Sequence, residues 1–216
     1  MTLGNERVQR AKTRSLHIER PMSRRFVIID IETNGFTDLK SKDPKLYTLP
    51  WQNFPCQLSV DVVDEEGDVY HAFDTYIRGA TRFSRWSTEN LNFSAEEANE
   101  SGIEFSEAIN RLAALITPET TIVAHNVDFD VEKCLARTAK KLQYDSPELN
   151  VVLTAPRFCT CKCAYSKLLF KNKANLGALC RHFEIDYCSD EAHGACYDSN
   201  VLAKVVAEAL RRGVML

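Results

Sequence analysis

Apolar residues crowd together near the start of the chain, where Phe26, Val27, Ile28, Ile29 and Ile31 form a nearly continuous β-branched and aromatic run. Such a run predicts a buried central strand rather than a half-exposed alternating one. Asp30 and Glu32 interrupt it. Because strand side chains alternate, the two carboxylates share a face, about 7 Å apart along the strand. Two ionised acids in such a place repel each other unless a cation sits between them, and burying charge is costly unless it is paired or bound to metal. Asn34 and Gly35 then supply a turn signal. The competing reading is an edge strand whose Asp and Glu face water.

The pattern continues in a readable order. Residues 37–55 hold three prolines among aromatics and lysines, which reads as a long loop beside the end of the strand. Residues 57–63 and 69–77 flank the Gly- and Asp-containing stretch 64–68, the signature of a hairpin. Residues 79–103 are polar and irregular, with a short helix expected from Ser94, where Glu97 completes a capping box. Phe105, Ala108, Ile109, Leu112 and Leu115 recur at helical spacing within 104–116, and a helix there stops before Pro118. Residues 120–124 form a short β-branched run, and a helix follows from Val131 to about residue 141. Residues 143–156, with two prolines, read as a loop. A last strand over 157–163 and helices over 175–183 and 197–210 complete the chain. Strands first, then strands alternating with helices, predict one α/β domain with a mixed sheet flanked by helices.

Composition and charge narrow the class. At 216 residues and 44% apolar, the chain suffices for one sizeable core. No apolar stretch approaches a membrane span, and no signal-peptide core is present, so a soluble intracellular protein without a membrane partner is expected. Eight cysteines in a chain too long to need staples fit a reducing compartment. Residues 1–25 carry a net charge of +5, leaving −8 for the rest. Residues 1–24 are therefore read as a basic, disordered leader with cations available to phosphates, with a transit peptide or an upstream extension before Met22 as alternatives.

Two further acidic places deserve weighing with Asp30 and Glu32. Asp130 closes the stretch His125, Asn126, Val127, Asp128, Phe129, Asp130 directly after a strand, where an acid alone reads equally well as a helix cap. His193 and Asp198 lead into the last helix, about one and a half turns apart if helical. Each place alone favours a structural reading, but their order and combination change that balance.

Together, Asp-x-Glu on a strand, Asn-x-x-Phe-Asp after a strand and His-x4-Asp at a C-terminal helix resemble the DEDDh exonucleases of the DnaQ-like superfamily, with a ribonuclease H-like fold. The resemblance covers roughly residues 25–213. It implies a five-stranded sheet, an antiparallel meander plus parallel strands, flanked by helices. It implies a metal-dependent 3′-5′ exonuclease releasing nucleoside 5′-monophosphates, with DNA slightly preferred over RNA. Hydrolysing a phosphodiester near neutral pH needs a deprotonated water and charge neutralisation, which two divalent ions about 3.5–4 Å apart provide. Oxygen-rich sites suit Mg²⁺ or Mn²⁺. On this reading Asp30, Glu32, Asp130 and Asp198 are the metal ligands and His193 is the general base, a task suited to an imidazole. Thr33, Gly35, Phe36, Asn126 and Phe129 are the implied substrate contacts, Phe36 stacking or wedging against a base. Asp128 is a rival to Asp130, but the family pattern places the ligand directly after Phe.

The implied partners are single-stranded or frayed nucleic-acid 3′ ends, with a polymerase or other replication or repair partner and a homodimer left open. A catalytically silent nucleic-acid-binding or polymerase-associated module of the same fold is the alternative. Cys159, Cys161 and Cys163 alternate as on one strand face, with Cys180, His182 and Cys188 following at zinc-compatible distances. Without a paired Cys-x2-Cys this is weak evidence, and structural zinc is not expected.

Overall fold

The computed structural model describes residues 24–35, 53–163, 167, 169 and 174–214. Among these, five strands form one sheet: β1 Arg25–Thr33, β2 Pro55–Asp64, β3 Val69–Tyr76, β4 Thr120–Ala124 and β5 Arg157–Cys159. Their order is β3-β2-β1-β4-β5. The hydrophobic run becomes the central strand β1, antiparallel to β2 and parallel to β4. β2 pairs antiparallel with β3, and β4 parallel with β5, giving the mixed sheet expected. The helices are α1 Arg85–Asn90, α2 Ala95–Ser101, α3 Phe105–Ala113, a π-helical segment Asp128–Ala136 running into α4 Arg137–Leu142, α5 Pro147–Thr154, α6 Leu176–His182 and α7 Ala195–Arg211.

Both faces of β1 are covered, which explains its near-continuous apolar sequence. Val27, Ile29 and Ile31 join Leu58 and Val60 of β2, Ile109 and Leu112 of α3, and Val131 and Leu135 in the larger core. On the opposite face, Phe26 and Ile28 pack with Val63, Val123 and Leu202, Ala203, Val206 and Ala207 of α7. Ile28 and Ile29 are completely buried, each side chain contributing about 2 kcal/mol of transfer free energy. Asp30 and Glu32 continue the even-numbered face, the one covered by α7. Along α7 the apolar residues likewise give way to Ser199 and Asp198 toward the helix start. The polar ends of the two elements therefore meet.

Three local differences from expectation have physical causes. Residues 143–156 contain α5 rather than a loop: Ser146 accepts a hydrogen bond from the Leu149 N–H, and Pro147 occupies the first turn, where a missing N–H is harmless. Pro147 and Pro156 bracket the helix instead of breaking it. α1 is too short and polar to show periodicity, yet Ser84 caps it by accepting from the Ser87 N–H. β5 ends at Cys159, so Cys159, Cys161 and Cys163 do not share a strand face, although the first two Sγ atoms approach to 3.6 Å. Residues 36–52, including Phe36 and most of the proline-rich stretch, and residues 1–23 of the leader lie outside the described residues. Phe54, at the end of that stretch, is buried in the main core. Among the described residues no helix is long and apolar enough to cross a membrane.

Candidate active site

Parallel pairing of β1 with β4 brings the ends of both strands to one edge of the sheet. That edge, beyond the carboxyl ends of parallel strands, is where open α/β sheets place ligands. Glu32 lies one residue before the end of β1, and Asp130 follows β4 in the first turn of the π-helical segment. The wide turns of this segment turn Asp130, Val131, Cys134 and Leu135 inward together. Asp198 comes from the first turn of α7.

The height of α7 is set by buried polar contacts. Ser199 Oγ donates to Asp61 Oδ2 at 2.6 Å and lies 2.8 Å from Ser59 Oγ, both on β2. Gln57 Oε1 accepts from the Ala195 N–H at 3.2 Å, tying the helix start to the same strand. His193 stands just outside the helix in a left-handed conformation, φ +67°. Its backbone N–H donates to Asp198 Oδ2 at 3.1 Å. This tight bend, rather than the continuous helix considered from sequence, is what brings the imidazole back over Asp198.

A cleft of about 590 Å³ gathers Asp30, Glu32, Thr33, Phe129, Asp130, His193 and Asp198. One ligand atom each from Glu32, His193 and Asp198 lie within 4.8 Å of one another. Burial pushes the Asp30 carboxyl well above its usual range, helped by Glu32, Asp130 and Asp198. Burial, then the Asp198 charge, raises Glu32 to about 7. Burial raises Asp130 to about 8, with Glu32 adding and the backbone N–H groups of Asp130 and Ile31 opposing. Asp198 is also raised by burial, opposed by the His193 N–H and ring. Asp198 Oδ1 is buried without a hydrogen-bond partner. Crowded acids that resist ionising, with one buried oxygen unsatisfied, form a donor set that fits a divalent cation. Glu32, His193 and Asp198 make a candidate metal site.

Other expected contacts are placed less uniformly. Asn126 adopts φ +104° in the turn after β4, where its carbonyl accepts from the Phe129 N–H at 2.7 Å, but it is not among the residues lining the cleft. Asp128, the rival acid, points outward to Lys162 Nζ at 2.6 Å. Gly35, at φ +123°, allows the close approach of α1: a Cβ there would lie 2.2 Å from Ser84 Oγ. Gly35→Ala is therefore expected to destabilise the protein by about 2 kcal/mol or more, read as a lowered denaturation midpoint. An unchanged midpoint counts against this docking.

The structure adds lining residues that the sequence did not reveal: Trp86 from α1, His125, Asn175, Leu176, Gly177, Arg181 from α6, and Tyr187. Arg181 is exposed and brings a guanidinium to an otherwise acidic cleft. His125 is held structurally: Nε2 donates to the Ala174 carbonyl and Nδ1 lies beside Thr160 Oγ1, both at 2.9 Å. Burial lowers its pKa, in keeping with a neutral ring. Of these lining residues, the sequence marked Asn175, Leu176, Gly177 and Arg181 only as part of a helix over 175–183, which Asn175 caps by accepting from the Ala178 N–H.

Residues 27–206 match the family model RNase_T, described as exonuclease. No curated protein sequence matches the chain significantly. Among solved structures, the zinc-bound complex of E. coli exonuclease I with single-stranded DNA superposes with a TM-score of 0.64 at 18% identity, covering 88% of this chain and 41% of that one. E. coli exonuclease I with a dA16 oligonucleotide gives 0.65 at 18% identity, covering 88% and 41%. A product-bound exonuclease I gives 0.61 at 18% identity, covering 88% and 44%. The fold is thus shared, while the chain spans only about two fifths of those proteins' length.

Proposed function

From the premise that this chain belongs to the RNase_T exonuclease family, we propose that it removes nucleoside 5′-monophosphates from the 3′ ends of single-stranded or frayed nucleic acid. The observation that carries this reading is the convergence of four carboxylates and the His193 imidazole on a single cleft, with Asp198 Oδ1 buried and unsatisfied. Asp30, Glu32, Asp130 and Asp198 would hold two Mg²⁺ or Mn²⁺ ions, hard cations suited to carboxylate oxygen. Bound there, the ions would lower the pKa of the attacking water and neutralise charge developing on the phosphate.

The remaining steps belong to the chain's own groups. The exposed ring of His193 takes the proton from the attacking water, and its backbone N–H keeps Asp198 oriented. Arg181 offers a guanidinium to a phosphate of the incoming strand. Thr33 and Phe129 line the path of the terminal nucleotide, while Asn126 supports it from outside the cleft by holding the turn that carries Phe129. The exonuclease I structures with single-stranded DNA, dT13 and dA16 favour DNA over RNA as substrate. One exonuclease I structure includes SSB, which supports a replication or repair partner for this chain.

The test is digestion of matched, 5′-labelled DNA and RNA oligomers, with and without 3′ mismatches, in Mg²⁺, Mn²⁺ or EDTA. Stepwise shortening from the 3′ end in metal alone is expected. Binding without shortening under every metal condition would return the silent-module alternative.

A further inference from the structure

Cys159 and Cys161 do not line the catalytic cleft, yet their sulfurs stand 3.6 Å apart where β5 ends. A tight turn brings them together: the Lys162 N–H donates to the Cys159 carbonyl at 3.2 Å, so both side chains leave the same bend. Cys163 is engaged elsewhere, its thiol donating to the Thr160 carbonyl at 3.3 Å. Among the described residues, no cysteine belongs to a cluster of three groups able to hold a metal ion. Two thiols outside any such cluster, Cys159 half-buried and Cys161 5% exposed, suit dithiol chemistry better than zinc.

The residue between the two sulfurs ties this turn to the cleft. Thr160 is fully buried. Its N–H donates to the Ala124 carbonyl at 3.2 Å, and its Oγ1 lies 2.9 Å from His125 Nδ1. His125 lines the cleft and reaches through Nε2 to the Ala174 carbonyl, just before α6 with its Arg181. On the other side of the turn, Lys162 Nζ meets Asp128 at 2.6 Å, two residues before Asp130. A change in the turn therefore has two routes to the cleft, and close packing around Thr160 leaves no slack to absorb it.

We propose that Cys159 and Cys161 are an oxidation site, forming a reversible disulfide that lowers exonuclease activity. The effect on activity rests on the exonuclease reading and adds a control to it. The thiolate of half-buried Cys159 attacks one sulfur of a small-molecule disulfide such as oxidised glutathione, releasing one thiol and leaving a mixed disulfide. Cys161 Sγ then attacks the Cys159 sulfur and releases the second thiol. Two electrons leave the protein pair, its two thiol protons end on the two released thiols, and one S–S bond is exchanged for another. Bonding draws the sulfurs from 3.6 Å to about 2.05 Å. The turn tightens around Thr160 and shifts both His125 and the Lys162–Asp128 pair. A misplacement of about 1 Å at a reacting centre costs up to about 10²-fold in rate.

The experiment treats the full chain with oxidised glutathione, alkylates the remaining thiols and digests with trypsin for mass spectrometry. Cleavage after Arg157 and Lys162 isolates residues 158–162, which hold this pair and no other cysteine. That peptide is expected unalkylated and lighter than its reduced form by the two lost hydrogens. In parallel, shortening of a single-stranded oligomer in Mg²⁺ should fall about tenfold or more and return after dithiothreitol. Cys159→Ser and Cys159→Ala should both keep their activity in the oxidant; melting curves confirm that they fold. A peptide that stays fully alkylated, an oxidised peptide with undiminished activity, or equal inhibition of the Cys159 variants overturns the proposal and leaves the exonuclease reading standing. A fully reduced protein that shortens no oligomer overturns the exonuclease reading and the control together.

Discussion

Asp130→Asn is expected to lower exonuclease activity at least about 10³-fold, because on the proposed two-ion reading it removes a ligand to ions that stabilise transition-state charge, a contribution of several kcal/mol. The same substitution should make the metal-free protein more stable. Asp130 is 3% exposed, and burial raises its pKa to about 8. For an acid with a raised native pKa, the folded state holds the proton more tightly than the unfolded chain. Its stabilising contribution is complete below the unfolded value of about 4 and is lost as pH rises through 8. Glu32 adds a similar loss up to about 7. Metal-free protein should therefore weaken from pH 5.5 to pH 8. Asparagine removes the Asp130 share while still accepting from the Ile31 N–H. Melting in EDTA at pH 8 is expected about 4–10 °C higher for Asp130→Asn than for wild type. Mg²⁺ should raise the wild-type melting temperature more than the variant's. Retained turnover, or the same pH dependence in both proteins, would show that Asp130 is not part of the metal-binding set.

His193→Ala should lower kcat by about 10² to 10⁴-fold, the usual range for removing a general base. The expected cause is chemical rather than structural. The His193 side chain is exposed, and the hydrogen bond it gives Asp198 comes from its backbone N–H, which alanine keeps. Metal-induced stabilisation should therefore survive in this variant, in contrast to Asp130→Asn. Residual activity should climb steadily with pH, since hydroxide must replace the missing proton acceptor. Comparing kcat across pH with Mg²⁺-dependent melting separates the two roles. If His193→Ala loses metal stabilisation along with turnover, the imidazole acts as a ligand, an outcome compatible with its proximity to Glu32 and Asp198 but contrary to the role proposed.

Much of the framework was legible in one dimension because local rules and tertiary packing agreed. The run from Phe26 to Ile31 read as a central strand because both of its faces are in fact covered. The cap at Ser94 marked α2, where Ser94 Oγ accepts from the Glu97 N–H at 3.1 Å. The failures occurred where one cue had two meanings. Pro147 and Pro156 read as breakers although they delimit α5, and the alternating cysteines read as a strand although pairing with β4 lasts for only three residues. Trp86, Arg181 and Tyr187 were invisible as a group because they come from separate elements and follow no periodicity.

The opening strand separates the two kinds of information. The sequence by itself determined that Asp30 and Glu32 lie on one face of a buried strand, because side-chain alternation is a property of the backbone. It also marked Asp130, His193 and Asp198 as candidates through a motif resemblance. Only the tertiary structure decided that parallel pairing of β1 with β4, and seating of α7 through Ser199 on Asp61, bring these residues to one cleft with Trp86 at its wall. The reason is physical: a site assembled from residues 30 to 198 depends on long-range pairing and helix docking, which act between segments that carry no local record of each other.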